Sequence, residues 1–409
     1  MFITFLPERR RCRIHRNETI LETARRNGVV IDSSCHGTRC CGRCRVQVAA
    51  DEREEKLPAG EPLLRPADNR ERMALSPAER NDGWHLACLS IPRHSIFVTV
   101  PSPARPLLIP TADGERLPGF DCNHAGSEEI PPFVIRKFGA SYWDAYQYAP
   151  LMSAAASLIA DSNGDPVCKL PFCVTIEAGA FGAEIIFPEA GHLPLPGGYR
   201  FHLVQELVDL PDIDFSKGRI AEVLRAIRLL HAVGRPCVLK VEAPFTVLSM
   251  LMDSMVLFQG LRKERKLIET AMAKIRRNLV RYIGLAFEAG AEMISYADPS
   301  GVVEFVGPKI FREVSGRETV RLLKEVTGLR PGGIVHVCGK TSTSLEYMHL
   351  CTSETYELTG KHNFAEALLS VYDRHKVSIT GHNCILVTAV PIPHQKVSFL
   401  HFPDDPDTG

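Results

Sequence analysis

The alternation of hydrophobic and polar positions divides the chain in two. Residues 1–16 alternate with period two and predict two strands with a turn near Pro7–Arg10. Glu18–Asn27 follows with helical spacing, and Ile20, Leu21 and Ala24 fall on one side. Arg45–Ala49 and Ser95–Val100 predict two further strands, with a polar, charged surface excursion, Asp51–Asp82, between them. From about residue 133 the rhythm changes. Candidate strands Phe172–Ile176, Cys237–Val241, Glu292–Ala297, Gly333–Val337 and Lys376–Thr380 alternate with candidate helices such as Ile220–Val233, Lys263–Ala289 and Arg317–Val326. Strands alternating with helices imply βα units and a parallel sheet. A segment of this length predicts an α/β fold, a C-terminal (β/α)8 TIM-type barrel preceded by a small α+β domain.

The stretch 101–132 is rich in proline and reads as an extended linker. The expected division is therefore a domain over 1–100, a linker over 101–132 and the barrel over 133–409. Composition adds limits rather than detail. The chain has 409 residues, 45% hydrophobic and 23% charged, with no net charge, which is ordinary for a soluble globular protein. It shows neither a membrane-length apolar run nor a signal peptide. Thirteen cysteines, an odd number spread along the chain, do not suggest a disulfide framework, and a reducing cytoplasm is the expected setting. Arg9, Arg10, Arg11, Arg13 and Arg16 form a basic patch, either a solvated hairpin face or a docking face for an acidic partner. No aromatic-interleaved basic stripe points to nucleic acid.

The sharpest local signal is Cys35-His-Gly-Thr-Arg-Cys-Cys41-Gly-Arg-Cys44, a C-x5-C-x2-C cluster on a glycine-punctuated loop, with Cys88 following in His-Leu-Ala-Cys88-Leu. Four thiolates suit an iron–sulfur cluster, whereas a zinc ribbon usually pairs two C-x2-C knuckles and only one is present. The spacing resembles that of [2Fe–2S] ferredoxins with five residues between the first two ligands, and also the N-terminal domains of corrinoid-activating proteins. The order of strands and helix is similar to the ferredoxin β-grasp. The resemblance implies a [2Fe–2S] cluster on Cys35, Cys41, Cys44 and Cys88, moving single electrons. Only Cys41 gives the two-residue step to Cys44, so Cys40 is read as a bystander.

A second set of donors stands at strand ends in the larger segment. Gly333-Ile-Val-His336-Val-Cys338 and Gly-His382-Asn-Cys384 each carry a His-x-Cys pair, and Tyr-Ala-Asp298-Pro ends another strand with a carboxylate. Positions i and i+2 of a strand share a side, so His336 and Cys338 can hold one ion, and Cys384 makes a third N/S ligand. An open fourth position marks catalytic rather than structural zinc. His382 competes as a ligand, Glu354 or Glu357 are candidates for the open position, and Cys351, Cys168 and Cys173 read as small hydrophobes.

Phrases through the segment carry a resemblance: Leu170-Pro-Phe-Cys-Val-Thr-Ile-Glu177, Glu242-Ala-Pro-Phe-Thr246, Glu288-Ala-Gly-Ala-Glu-Met-Ile-Ser-Tyr-Ala-Asp298 and His336-Val-Cys338-Gly. Residues 133–385 resemble the uroporphyrinogen decarboxylase superfamily and, within it, the zinc-dependent methylcobamide:thiol methyltransferases. The resemblance implies zinc on His336, Cys338 and Cys384 and an activated thiolate that takes a methyl group from a corrinoid (cobalamin) co-substrate. The acceptor is a small thiol or a tetrahydrofolate. The chain lacks an Asp-x-His-x-x-Gly pattern, so the corrinoid is expected on a partner corrinoid protein. Asp298 is the candidate catalytic residue, positioning substrate or water, with a structural strand-end role equally open. The fused cluster, fed by an electron donor, would return Co(II) to Co(I). Two other readings stay open: an electron-transfer or reductive activator with a non-catalytic barrel, and a tetrapyrrole decarboxylase. The His336/Cys338 pair speaks against the second, which needs no metal. The Cys338–Cys384 interval is shorter than the resemblance leads one to expect, and little chain follows Cys384 beyond a candidate closing segment, Lys396–Phe402.

Overall fold

The computed structural model describes residues 1–15, 17–33, 43–51, 61–66, 69–101, 108–120, 129–187, 193–327, 329, 333–375, 379–392 and 395–403. The chain forms two compact units, Met1–Leu107 and Leu108–Gly409.

In the first unit the order is β1 (Phe2–Leu6), β2 (Arg10–Arg13), α1 (Ile20–Arg26), β3 (Arg45–Ala50), α2 (Asn69–Ala74), α3 (Pro77–Asn81), β4 (Trp84–Leu86) and β5 (Ile96–Thr99). The sheet runs β2-β1-β5-β3-β4, with β1 and β5 parallel and the other pairs antiparallel. Strand alternation turns Ile3, Phe5, Val46, Val48, Ile96 and Val98 into one core with Ile20, Leu21 and Ala24 of α1. Helix α1 starts later than the sequence spacing suggests because Thr19 and Glu22 form a reciprocal cap. Glu18, outside the helix, accepts instead from the His15 N–H and the Arg26 guanidinium. The excursion between β3 and β4 is not wholly superficial, since Glu71 on α2 is buried.

The second unit opens with a hairpin, β6 (Leu108–Pro110) and β7 (Arg116–Pro118), followed by α4 (Pro132–Phe138), α5 (Tyr142–Gln147) and α6 (Ala149–Asn163). Then come β8 (Cys168–Leu170), α7 (Ile176–Ala180), a short hairpin β9 (Ile185–Ile186) and β10 (Leu195–Pro196), α8 (Gly218–Ala232) and β11 (Cys237–Glu242). Next are α9 (Pro244–Leu251), α10 (Ser254–Lys263), α11 (Arg265–Glu288), β12 (Met293–Ala297), α12 (Val303–Ile310), α13 (Gly316–Thr327) and β13 (Ile334–Cys338). The last elements are α14 (Gly339–Tyr347), β14 (Thr352–Glu357), α15 (Phe364–His375), β15 (Ile379–Asn383) and β16 (Lys396–His401).

Three expectations change. The hairpin β6–β7 occupies part of the expected linker: Ile109 is buried, and Tyr347 donates its hydroxyl to the Pro118 carbonyl at 2.9 Å. The expected strand Phe172–Ile176 lies four residues too late. The strand is β8, which stops before Pro171, a residue with no N–H for a ladder, and Ile176 already begins α7. The third change concerns the barrel. Among the described residues the strands pair as β14-β16-β15-β13-β12-β11-β8, five of them parallel and β16 and β14 antiparallel. A closed ring of eight parallel strands is not what the hydrogen bonding shows. The closing segment doubles back as β16 instead of supplying another βα unit.

The two faces of this sheet differ. Cys168, Leu170, Leu239, Val241, Ile294, Tyr296, Val335 and Val337 pack beneath the helices in the larger core. The opposite face begins with Val167, Val238, Met293 and Ile334, which pack with Phe364 and Leu368 of α15 and with Val397 and Phe399 of β16. No helix among the described residues is long and apolar enough to cross a membrane.

Candidate functional site

In the first unit, Cys44 precedes β3 and Cys88 follows β4, and both are buried. The Cys88 N–H points at the Cys44 sulfur, 3.4 Å away, and the Ala87 N–H donates to the Cys44 carbonyl at 2.7 Å. Cluster sulfurs take hydrogen bonds from backbone N–H groups, and this pair of cysteines already has one aimed at sulfur, so this half of the donor set fits a cluster. A buried carboxylate adds to the backbone hydrogen bonds that hold the turn around Cys88. Glu71 Oε1 accepts from the Leu86 N–H at 2.8 Å and the Ser90 hydroxyl at 3.2 Å, and stands 3.1 Å from His85 Nδ1. Burial alone raises its pKa, but these partners bring it below the usual carboxylate value. Cys35, Cys40 and Cys41 lie outside the described residues.

In the second unit the inner face of the sheet turns polar one step above its apolar layer. Strand register and alternation place Lys240, Ser295, His336 and Thr380 on that face, with Lys169 beside Val238 and with Glu242 and Cys338 further along. His336 is fully buried, which pushes its pKa down to about 4, so the ring is neutral. One ring nitrogen, Nδ1, lies 3.1 Å from Ser295 Oγ and the other, Nε2, 3.1 Å from the Asn383 carbonyl. Cys338 pairs with Asn383 across a register shift, so Cys384 follows directly on the backbone that touches His336.

These residues fit zinc by their chemistry. They offer a neutral imidazole and two thiols from neighbouring strands, and whichever nitrogen bound the ion, the other already has a hydrogen-bond partner to fix its tautomer. The Thr380 hydroxyl, buried in the same layer, has no hydrogen-bond partner among the described residues. No three His, Cys, Asp or Glu side chains among the described residues gather closely enough to form a metal cluster. The structure therefore brings the donor-bearing backbones together while His336 stays turned to Ser295 and Asn383.

His382, the competing ligand, turns away. Its φ of 59° is unusual for a residue other than glycine, and its Nε2 stands 3.3 Å from Glu346 without hydrogen-bond alignment. Glu354 and Glu357 do not reach the site: both sit on β14 and pair with His401 at 3.4 Å and Lys396 at 2.9 Å. Asp298 is buried inside its own turn. Its Oδ1 accepts from the Thr246 hydroxyl at 2.7 Å and the Gly301 N–H at 3.1 Å, while Oδ2 has no hydrogen-bond partner among the described residues. Burial raises its pKa to about 7 against those bonds. The carboxyl lies against Gly301, where any Cβ would collide with it, so the turn needs glycine there.

Sequence reading missed several groups. Burial also raises Glu177 to about 7, and its Oε1 accepts from the Glu242 N–H at 3.2 Å. Cys173 is more than a small hydrophobe, because Arg219 Nη2 contacts its sulfur at 2.8 Å and Thr175 Oγ1 lies at 3.5 Å. The one available signal was a lysine in the middle of an apolar strand, as in Cys168-Lys-Leu and Leu239-Lys-Val. Cys351 and Cys168 are buried, as expected of packing residues, and burial raises Cys351 to about 12.

With that geometry in place, sequence comparison separates the chain along the same lines. Residues 3–93 match the 2Fe-2S iron-sulfur cluster binding domain, and residues 130–386 match uroporphyrinogen decarboxylase (URO-D). A methylcobamide:CoM methyltransferase, MtaA, of Methanosarcina barkeri is 26% identical over 268 residues, 64% of this chain and 78% of its own. A second, MtbA of Methanosarcina mazei, is 25% identical over 240 residues, 57% of this chain and 68% of its own. Among solved structures, a methyltransferase from Methanosarcina mazei aligns with a TM-score of 0.48 at 24% identity, covering 58% of this chain and 70% of that one. The chain thus belongs to the uroporphyrinogen decarboxylase family and carries, ahead of that domain, a 2Fe-2S iron–sulfur cluster binding domain.

Proposed function

We propose that the protein is a zinc-dependent corrinoid methyltransferase, moving a methyl group between a protein-bound methyl-corrinoid and a small thiol or tetrahydrofolate-type acceptor. The observation that carries this reading is the neutral, buried His336 on the same strand as Cys338, one hydrogen bond from the backbone that leads into Cys384. The relatives' activity gives it direction. His336, Cys338 and Cys384 would hold the zinc, which lowers the pKa of a bound thiol and keeps it nucleophilic. Ser295 and the Asn383 carbonyl fix the His336 ring, while Lys169 and Lys240 supply positive charge to the same face. Asp298 organises the turn after β12, so we assign it to positioning rather than to proton transfer. The strand ladder is incomplete among the described residues, and side chains link the β8 region to the segment after β15.

The [2Fe–2S] cluster, on Cys35, Cys41, Cys44 and Cys88, would return one electron to a corrinoid that has lapsed to Co(II). The test is metal and sulfide analysis of anaerobically purified protein, joined to methylcobalamin-dependent methylation of a small thiol. About two iron, two sulfide and one zinc per chain are expected. Cys338→Ala should lose zinc and methyl transfer while keeping the iron. Iron and sulfide without zinc, and no methyl transfer, would leave an electron-transfer protein.

A further inference from the structure

We infer that Lys169, with Asp165 and Thr388, is a positioning residue that seats the Cys384 thiol beside His336 and Cys338. The inference rests on the metal reading above. It begins from the backbone on either side of Cys384. Strand β15 ends at Asn383, and Cys384 opens a single 3-10 turn, Ile385–Val387, in which the Val387 N–H reaches the Cys384 carbonyl at 3.2 Å. On the upstream side the chain is fixed by β13, through the Cys338–Asn383 pairing and the contact of His336 with the Asn383 carbonyl.

The downstream anchor comes from β8, separated from β15 by three strands in the hydrogen-bonded order. Lys169 Nζ lies 2.6 Å from Asp165 Oδ2 and 3.4 Å from the Leu386 carbonyl. The Thr388 hydroxyl donates to the same Asp165 oxygen at 2.6 Å, and Asp165 Oδ1 accepts the Val167 N–H at 3.2 Å. Both carboxylate oxygens are thus engaged. Thr388 is fully buried, and the Lys169 and Asp165 side chains are only 19% and 4% exposed.

A buried ion pair is a costly way merely to join two segments, since apolar residues of similar volume often do so equally well. What the ionic solution adds is a directional hold on the Leu386 carbonyl, two residues beyond a prospective metal-bound sulfur, with Thr388 tied to the same carboxylate. Groups that orient metal ligands from behind typically change affinity 10- to 100-fold when removed.

The test uses Co(II) as the probe in the full-length chain, comparing wild type with Lys169→Met, Lys169→Arg and Thr388→Val. Binding is read by titration, and sulfur ligation by the near-ultraviolet thiolate-to-cobalt charge-transfer band. Lys169→Met should bind Co(II) about 10- to 100-fold more weakly. Its band should fall to about half that of wild type, as for loss of one of two thiolates. Lys169→Arg should restore both. Thr388→Val, which keeps the ion pair, should shift them in the same direction by less. Wild-type affinity and a full band in folded Lys169→Met would overturn the inference while leaving the metal site intact. If Lys169→Met does not fold, an unchanged band in Thr388→Val would overturn it. No Co(II) uptake by wild type would remove the metal reading and this inference together.

Discussion

The two cysteine sites rest on backbones of different character. Cys44 and Cys88 lie at the margins of short strands, where the Cys88 turn is shaped by a single buried carboxylate, Glu71. His336 lies inside a strand with pairing partners on both sides, Cys338 closes that strand opposite Asn383, and Cys384 opens a turn. The described half of the first site is a pair of strand margins joined by backbone N–H groups at Cys88 and Ala87. The second is a sheet into which ligands have been set at fixed intervals. A loop can wrap a cluster and offer it N–H groups, whereas strand positions keep the same separation whether or not an ion is bound, which suits a site that must admit substrate.

The comparison breaks most decisively if the two sites are not independent. Cys88→Ala should abolish iron and sulfide uptake while leaving zinc at the wild-type level, measured by metal analysis. Loss of zinc in the same variant would mean that one site depends on the other. The next effect is on stability. Glu71→Leu leaves the Leu86 N–H without its side-chain acceptor, while the Ser90 hydroxyl keeps the Leu86 carbonyl at 2.9 Å, and should cost the first unit about 2 kcal/mol, read from denaturant unfolding. An unchanged midpoint would show that the turn holds without the carboxylate.

A third effect belongs to the second unit alone. Asp298 has its pKa raised by burial from 3.8 to about 7, so its neutral form is the one the fold prefers. Its contribution to stability is complete below the ordinary carboxylate pKa and is lost as pH rises toward 7. Asp298→Asn should therefore flatten the decline in stability across that window, measured as urea midpoints at several pH values. An equal decline in wild type and variant would assign it to another group, Glu177 being the first to examine. The smallest effect sharpens the site's boundary. Glu354→Gln, on an exposed pair, should change stability by less than about 0.5 kcal/mol and leave zinc content unchanged.

Much of this was legible before the structure. The strands that carry His336 and Asp298 were bounded within a residue or two, because β-branched runs ending in polar residues have few other readings. The strand near residue 170 was displaced because Phe172–Ile176 is apolar enough to imitate one, and the constraint of Pro171 outweighed that pattern. The antiparallel return of β16 could not be foreseen. Nothing in Lys396–His401 distinguishes an antiparallel return from a last parallel strand, since pairing direction is set by tertiary partners. Asp165, Lys169 and Thr388 were invisible for a similar reason: their relation spans 223 positions. Cys173 was read as packing because its partner, Arg219, comes from a helix far along the chain.

Glu71 also bears on how the first unit can be cut. Its helix lies within what looks like a dispensable insertion between two strands. A shortened version that removes only residues before Asn69 keeps the acceptor for His85, Leu86 and Ser90. One that continues through α2 takes away the group that shapes the turn at Cys88. The smallest piece expected to take up a cluster therefore retains a helix that contributes no cysteine to it.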